Sequence, residues 1–124
     1  MSLSILIIED NEQNMYMLSY LLTNNNYKVI KAFNGRDGLN LAHNNHPEII
    51  LLDIQLPDMD GYEICLKLRH NGLPKNTTII AVTSYAMGGD REKAIEAGAD
   101  GYLEKPINPD TFVSEMEKIY NAKQ

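Results

Sequence analysis

Short apolar runs alternate along the chain with longer segments in which apolar residues recur every three or four positions. Residues 3–8, 49–52 and 79–82 consist almost entirely of Ile, Leu, Val and Ala, without polar alternation. Runs of this length and composition predict strands that are buried on both faces of a sheet. Two further strands are predicted, a more polar one at 27–33 that should lie near the sheet edge and a short one at 102–104.

The segments between these strands predict amphipathic helices. Helices are expected after the cap Asn11, over 35–44, over 60–70, from about Asp90 to Gly98, and from the cap Asn108 with Pro109 at the first helical position. The regular alternation of strands and helices favours a parallel sheet with helices packed on both faces.

Acidic residues follow two of the predicted buried strands. Glu9 and Asp10 come directly after the first strand, and Asp53 comes directly after the third. Asp53 by itself is either an ordinary turn residue or a reactive group, with the two interpretations about equally supported. If the two strands are neighbours, all three carboxylates meet at one sheet edge, where their repulsion favours a raised pKa or a bound Mg²⁺.

Two more strands end in residues that complete a pattern. The strand at 79–83 ends in Thr83, and the last strand leads through Glu104 to Lys105 and Pro106. Together with Glu9, Asp10 and Asp53, which is followed by Pro57 and Gly61, these residues resemble the receiver domain of bacterial two-component response regulators. The resemblance extends over about residues 3–122.

The resemblance implies an α/β fold of the flavodoxin-like, doubly wound kind. Its five parallel strands are expected in the order 2-1-3-4-5, with five helices, and residues 1–124 are expected to form a single receiver domain. Whether this chain stands alone or is part of a hybrid kinase or a larger regulator is left open by the sequence.

The resemblance also implies a phosphorylation-dependent signalling switch. Asp53 is expected to accept a phosphoryl group from a sensor histidine kinase or a histidine phosphotransfer protein. The expected Mg²⁺ ligands are Glu9, Asp10, Asp53 and the backbone carbonyl of Gln55, and Lys105 is expected to contact the phosphoryl oxygens. The peptide bond between Lys105 and Pro106 is expected to be cis. Such a protein is not an ordinary enzyme, because it assists only its own phosphorylation and dephosphorylation.

Thr83 and Tyr102 are expected to convert phosphorylation into a change of shape. The Thr83 hydroxyl would contact the phosphoryl group, and Tyr102 would turn inward, although it is also typical of a plain half-buried strand aromatic. The face formed by the fourth helix, fifth strand and fifth helix would then control a downstream effector protein. Gln55 and Tyr85 are expected to tune hydrolysis of the acyl phosphate, with Tyr85 slowing it.

Two other classes of function compete with this interpretation. The first is a Mg²⁺-dependent phosphatase with an aspartyl nucleophile, but such enzymes usually carry a second acid two residues on, where this chain has Gln55. The second is an interaction module that is not phosphorylated, which predicts a site with missing residues. Nucleotide-binding motifs of the G-x-x-x-x-G-K-[ST] and G-x-G-x-x-G types are absent from the sequence.

Composition narrows the picture further. The chain has 124 residues, enough for one domain with one core, and its net charge of −6 argues against direct nucleic-acid binding. No apolar run approaches a membrane span and the first residues do not resemble a signal peptide. The single cysteine, Cys65, excludes an internal disulfide, favours a cytoplasmic location and is expected to be a core residue. His43 and His46 are expected to be solvated rather than metal ligands.

Overall fold

The computed structural model describes residues 3–84 and 89–124, and strands and helices alternate along them. The strands are β1 (Ser4–Ile8), β2 (Lys28–Ala32), β3 (Ile49–Asp53), β4 (Thr78–Thr83) and β5 (Gly101–Glu104). The helices are α1 (Glu12–Asn24), α2 (Gly35–Asn45), α3 (Gly61–His70), α4 (Asp90–Glu96) and α5 (Phe112–Lys123).

All five strands are parallel and lie in the order β2-β1-β3-β4-β5. This confirms the predicted α/β fold, its strand order and its five helices among the described residues. The more polar β2 is an edge strand, as its composition predicted, whereas β1, β3 and β4 lie inside the sheet. None of the helices in the described ranges combines the length and hydrophobicity that crossing a bilayer requires.

The core consists of two apolar layers, one on each face of the sheet. Successive residues of a strand point to opposite faces, so Leu6 and Ile8 lie in one layer while Ile5 and Ile7 lie in the other. The first layer is closed by α2, α3 and α4 and the second by α1 and α5. Unbroken apolar strands are needed here because helices cover both faces.

Cys65 lies in the layer closed by α3, as predicted for a core residue. Burial raises the pKa of its thiol to about 11, so the group stays protonated at neutral pH. His43 and His46 are exposed, in agreement with the prediction that they are solvated.

The start of α5 differs from the prediction, because the helix begins at Phe112 rather than at Pro109. The side chain of Asn108 accepts a hydrogen bond from the Asp110 N–H (2.9 Å), but this bond caps a separate turn. Thr111 then leaves helical geometry, with φ −120° and ψ −17°, and α5 starts after it. The prediction that Asn108 caps this helix was therefore wrong, because Asn108 caps only the preceding turn and Thr111 occupies the N-cap position of α5.

Candidate functional site

The site is built at the carboxyl ends of four adjacent strands. Glu9 follows β1, Asp53 and Thr83 are the last residues of β3 and β4, and Lys105 follows β5. β1 and β3 are neighbouring parallel strands, so the carboxylates that follow or end them lie at the same edge of the sheet. The backbone N–H of Lys105 donates to the carbonyl of Thr83 (2.8 Å), which extends the pairing of β4 with β5 to the lysine.

Three carboxylates form one cluster at this edge. Glu9, Asp10 and Asp53 each place an oxygen within 4.8 Å of the others. Glu9 and Asp53 are only 2% and 5% exposed, while Asp10 is exposed. Two buried anions beside a third need a cation or a proton, and a set of carboxylate oxygens is the donor chemistry that Mg²⁺ prefers. The residues present therefore fit a Mg²⁺ ion.

Lys105 supplies a positive charge to the cluster. Its ammonium nitrogen lies 2.6 Å from Oε1 of Glu9 and 3.5 Å from Oδ2 of Asp53. The peptide bond from Lys105 to Pro106 is cis, as the resemblance implied. The pairing of Lys105 with Glu9 was not predicted, because the sequence analysis assigned the lysine only to phosphoryl oxygens.

Backbone amides fix the orientation of the two buried carboxylates. Glu9 Oε2 accepts a hydrogen bond from the N–H of Asn11 (3.1 Å), and Asp53 Oδ1 accepts one from the N–H of Gln55 (3.1 Å). Asn11 also caps α1, as predicted, by accepting from the Asn14 N–H (2.9 Å). The role of Asn11 in orienting Glu9 was not predicted. A helix-capping pattern concerns the side chain of Asn11, whereas the bond to Glu9 comes from its backbone N–H.

Burial and charge act together on Asp53. Burial is the largest effect and, with the nearby charge of Glu9, raises the pKa of the Asp53 carboxyl to about 7. The N–H of Gln55 and the ammonium of Lys105 act in the opposite direction. Without a metal ion, Asp53 therefore exchanges its proton near neutral pH, and a cation that neutralises Glu9 favours the carboxylate.

Gln55 lies at the beginning of the loop after β3 and is exposed. Its backbone forms an isolated antiparallel bridge with Asp60, the residue that caps α3 by accepting from the Tyr62 N–H (3.0 Å). Within the same loop, Asp58 accepts hydrogen bonds from the N–H groups of Gly35 (2.8 Å) and Arg36 (3.1 Å) at the start of α2. The loop that follows Asp53 is thus anchored on two helices.

The two residues predicted to act in the switch lie in different surroundings. Thr83 is buried at the end of β4, on the strand next to Asp53. Tyr102 is half-buried in β5, and its side chain packs on the core layer closed by α2, α3 and α4. Burial and the charges of Asp90 and Glu104 raise the pKa of the Tyr102 phenol. Tyr85 lies outside the described residues.

Asp90, the first residue of α4, accepts a hydrogen bond from the hydroxyl of Tyr62 in α3 (3.3 Å). The ammonium of Lys93 lies 5.1 Å from the centre of the Tyr62 ring. Tyr62 therefore contacts two side chains of α4, next to the strand that carries Tyr102. Tyr62 could not be identified from the sequence, because a residue two positions after the cap Asp60 is expected only to lie on the exposed side of the helix.

Comparison with known proteins gives consistent matches along the chain. Residues 5–117 match the family described as the response regulator receiver domain. The polar-differentiation response regulator DivK of Brucella ovis is 37% identical over 117 residues, which cover 94% of this chain and 95% of DivK.

Two solved structures are similar over nearly their whole length. The response regulator receiver domain protein (CheY-like) from Methanospirillum hungatei JF-1 has a TM-score of 0.91 at 29% identity, with 99% of this chain and 97% of that chain covered. The receiver domain of sensor histidine kinase PA1611 from Pseudomonas aeruginosa PAO1 has a TM-score of 0.87 at 29% identity, with 98% and 99% covered. That structure has a magnesium ion coordinated in its active-site cleft.

Proposed function

Because this chain belongs to the response regulator receiver domain family, we propose that Asp53 is its phosphoacceptor. The observation that carries this proposal is the position of Asp53, a buried carboxylate at a strand end, beside Glu9 and with the Lys105 ammonium 3.5 Å away. The phosphoryl donor is a sensor histidine kinase or a histidine phosphotransfer protein. The protein is a cytoplasmic signalling switch, and its 124 residues form one domain.

The reaction is a transfer of one phosphoryl group between two side chains. An Asp53 carboxylate oxygen forms a bond to phosphorus as the phosphorus–nitrogen bond of the donor phosphohistidine breaks. The departing imidazole keeps the electron pair and takes up a proton. The product is an acyl phosphate on Asp53. Water later attacks its phosphorus atom, the bond from phosphorus to the carboxylate oxygen breaks, and inorganic phosphate leaves the restored carboxylate.

The residues around Asp53 position the reactants and balance charge. Mg²⁺ would be held by Glu9, Asp10, Asp53 and the Gln55 carbonyl, and when bound it would supply positive charge to the carboxylates and to the incoming phosphoryl oxygens. Lys105 exchanges its contact with Glu9 for a phosphoryl oxygen once the phosphoryl group arrives. The N–H of Gln55 keeps Asp53 oriented, as its hydrogen bond to Oδ1 supports.

Thr83 and Tyr102 transmit the change to the surface. The Thr83 hydroxyl donates to a phosphoryl oxygen, and Tyr102 turns inward. The resulting face of α4, β5 and α5 binds a downstream effector protein. Gln55 and Tyr85 set the lifetime of the acyl phosphate, and Tyr85→Ala is expected to shorten it.

The test is intact mass spectrometry after incubation with acetyl phosphate, with and without Mg²⁺. Wild type should gain the mass of one phosphoryl group in a Mg²⁺-dependent manner, and Asp53→Asn should gain none. Asp110→Asn is the matched control, because it changes an exposed aspartate away from the acidic cluster and should still be labelled. Labelling that persists in Asp53→Asn, or that is lost equally in Asp110→Asn, contradicts the assignment.

The same experiment separates the competing functions. A Mg²⁺-dependent phosphatase would release phosphate from many added phosphomonoesters over repeated cycles, whereas a switch is labelled once and hydrolyses only its own acyl phosphate. An interaction module would show no adduct and no Mg²⁺ binding. Two features favour the switch. Position 55 is a glutamine and not the second acid expected of such a phosphatase, and the acidic cluster that an interaction module would lack is complete.

A further inference from the structure

A shallow groove of about 500 Å³ lies between α1 and the edge strand β2. Tyr16 and Tyr20 line it from α1, with their rings stacked at 6.4 Å. They are 73% and 62% exposed, the highest values among the large hydrophobic side chains of the described residues. Lys28 and Lys31 line the groove from β2 and are exposed as well. We call this region the α1–β2 groove.

The backbone of β2 is open along the groove. The N–H of Lys28 donates to the Leu3 carbonyl (2.9 Å), and the Ala32 carbonyl accepts from the Glu9 N–H (3.0 Å). Alternate residues of β2 thus bond to β1, and the backbone N–H and C=O groups of Val29 and Lys31 between them point outward. No strand of the described chain pairs with this outer edge.

The charge of the groove is opposite to that of the whole protein. The chain carries a net charge of −6, yet two lysines lie three residues apart on one short strand. Within residues 3–84 and 89–124, neither Lys28 nor Lys31 forms an ion pair with a carboxylate. Because they are three residues apart, their side chains project from opposite faces of β2, Lys31 on the face of α1 and the tyrosine pair, and Lys28 on the other face. A strand added at this edge therefore meets one available cation on each face, and the aromatic pair on one of them.

We propose that the α1–β2 groove binds an extended acidic peptide segment of a partner protein, which adds to the outer edge of β2 as a further strand. Backbone groups of Val29 and Lys31 supply the hydrogen bonds. Lys28 attracts acidic side chains on one face of the added strand, and the tyrosine pair packs on apolar side chains on the other face.

The groove lies at the opposite edge of the sheet from β5. An occupant there leaves the face of α4, β5 and α5 open, so two partners can bind at the same time. The inference does not depend on phosphorylation of Asp53, and it can be tested on Asp53→Asn protein.

The probe is a fluorescent peptide of roughly eight residues in which glutamate and valine alternate, the length of an ordinary strand. The same peptide with lysine in place of glutamate is the charge control. Binding is measured by fluorescence anisotropy, and amide hydrogen exchange by NMR reports on the individual backbone groups of β2. The glutamate peptide should bind, the lysine peptide should not, and exchange of the Val29 and Lys31 amides should slow in the complex.

Variants locate the site. Lys28→Glu should weaken binding at least about tenfold, since attraction is replaced by repulsion on the face that the glutamates occupy. Lys75→Glu, a change of an exposed lysine outside the groove, should leave it unchanged. Circular dichroism checks that each variant is folded, and raising the salt from about 0.1 M to about 0.5 M should weaken binding of the wild type.

Three outcomes overturn the proposal. Equal binding of both peptides shows that charge does not select the ligand. Binding that leaves exchange of the Val29 and Lys31 amides unchanged shows that no strand is added. No binding of the glutamate peptide shows that the two lysines serve only to keep an open strand edge from pairing.

Discussion

Lys105 forms an ion pair with Glu9, with the ammonium nitrogen 2.6 Å from Oε1 of the glutamate. The same nitrogen lies farther from Asp53, 3.5 Å from Oδ2. Lys105 therefore neutralises Glu9 more directly than it neutralises Asp53, the proposed phosphoacceptor. Because Glu9 is also a proposed Mg²⁺ ligand, the lysine and the metal ion compete for the same carboxylate.

This competition predicts opposite effects of one substitution on two measurements. Lys105→Met removes a cation a few Å from the metal ligands and should tighten Mg²⁺ binding about tenfold or more. The same change removes a contact to the phosphoryl oxygens and should slow labelling by acetyl phosphate about a hundredfold. Isothermal titration calorimetry and intact mass measure the two effects.

The matched control for this substitution is Lys67→Met, because Lys67 pairs with Glu63 at 3.5 Å on an exposed helix face. It should change neither Mg²⁺ affinity nor labelling. Weaker Mg²⁺ binding by Lys105→Met would show that the lysine organises the metal ligands instead of competing with the ion.

The raised pKa of Asp53 predicts how stability of the metal-free protein depends on pH. The pKa of an aspartate is about 4 in an unfolded chain and about 7 for Asp53 in the folded protein. Between these values the folded state binds more protons, so the free energy of unfolding should fall as the pH rises from about 4 to about 7. The loss should be on the order of 3 kcal/mol, since one pKa unit corresponds to about 1.4 kcal/mol.

Urea unfolding in EDTA, from about pH 5 to about pH 8, measures this dependence. Asp53→Asn should reduce the slope and be more stable than wild type at the upper end of the range. Added Mg²⁺ should restore stability to the wild type there, because it binds the folded carboxylates. A slope that is the same in wild type and Asp53→Asn would assign the dependence to other groups.

Asp100 should contribute more to stability than an ordinary surface acid. Its Oδ2 accepts hydrogen bonds from Arg69 (2.6 Å) and from the Ile79 N–H (2.8 Å), and its Oδ1 accepts one from Lys123 (2.8 Å). These contacts join α3, β4 and α5. Asp100→Ala should lower the free energy of unfolding by about 2–3 kcal/mol, since it removes the acceptor of the Ile79 N–H and the anion that pairs with both Arg69 and Lys123.

Glu63→Ala is the control for Asp100, because it removes only the exposed pair with Lys67. Its cost should be below about 0.5 kcal/mol in the same chemical unfolding experiment. Equal losses for the two variants would mean that the Asp100 network contributes no more than an exposed helix pair.

Gly61 permits close contact between the start of α3 and the loop after Asp53. A Cβ at this position would lie 2.4 Å from Cα and 2.8 Å from the carbonyl oxygen of Ile54, the residue after Asp53. Backbone atoms cannot rotate away, so Gly61→Ala should cost about 2 kcal/mol or more and slow phosphorylation by displacing the loop.

Gly38→Ala provides the comparison. Its Cβ would lie 2.5 Å from Cδ1 and 2.8 Å from Cγ1 of Ile8, so the clash falls on side-chain atoms, which can shift more than backbone atoms can. A smaller loss of stability and normal phosphorylation are therefore expected. Thermal unfolding and acetyl phosphate labelling of both variants test the difference. Normal labelling by Gly61→Ala would show that the loop tolerates the shift.

The acidic residues, Thr83 and Lys105 could be found from sequence because each follows an apolar run. Parallel strands bring their carboxyl ends to one edge, so a position in sequence becomes a position in space once the strand order is known. That order came from the family resemblance, since strand periodicity alone is the same for every arrangement of the strands. The start of α5 was placed three residues early because a cap followed by proline has the same pattern before a turn and before a helix.

The sequence by itself determined the parallel sheet, its two covered faces and the residue types at its carboxyl edge, because burial on both faces dictates unbroken apolar strands. Tertiary structure decided which of these charges meet. Lys105 follows β5 and Glu9 follows β1, with β3 and β4 between them, and only the folded geometry brings the long lysine side chain across to the glutamate. The physical reason is that an ion pair depends on distances of a few Å, which residue spacing along the chain does not fix.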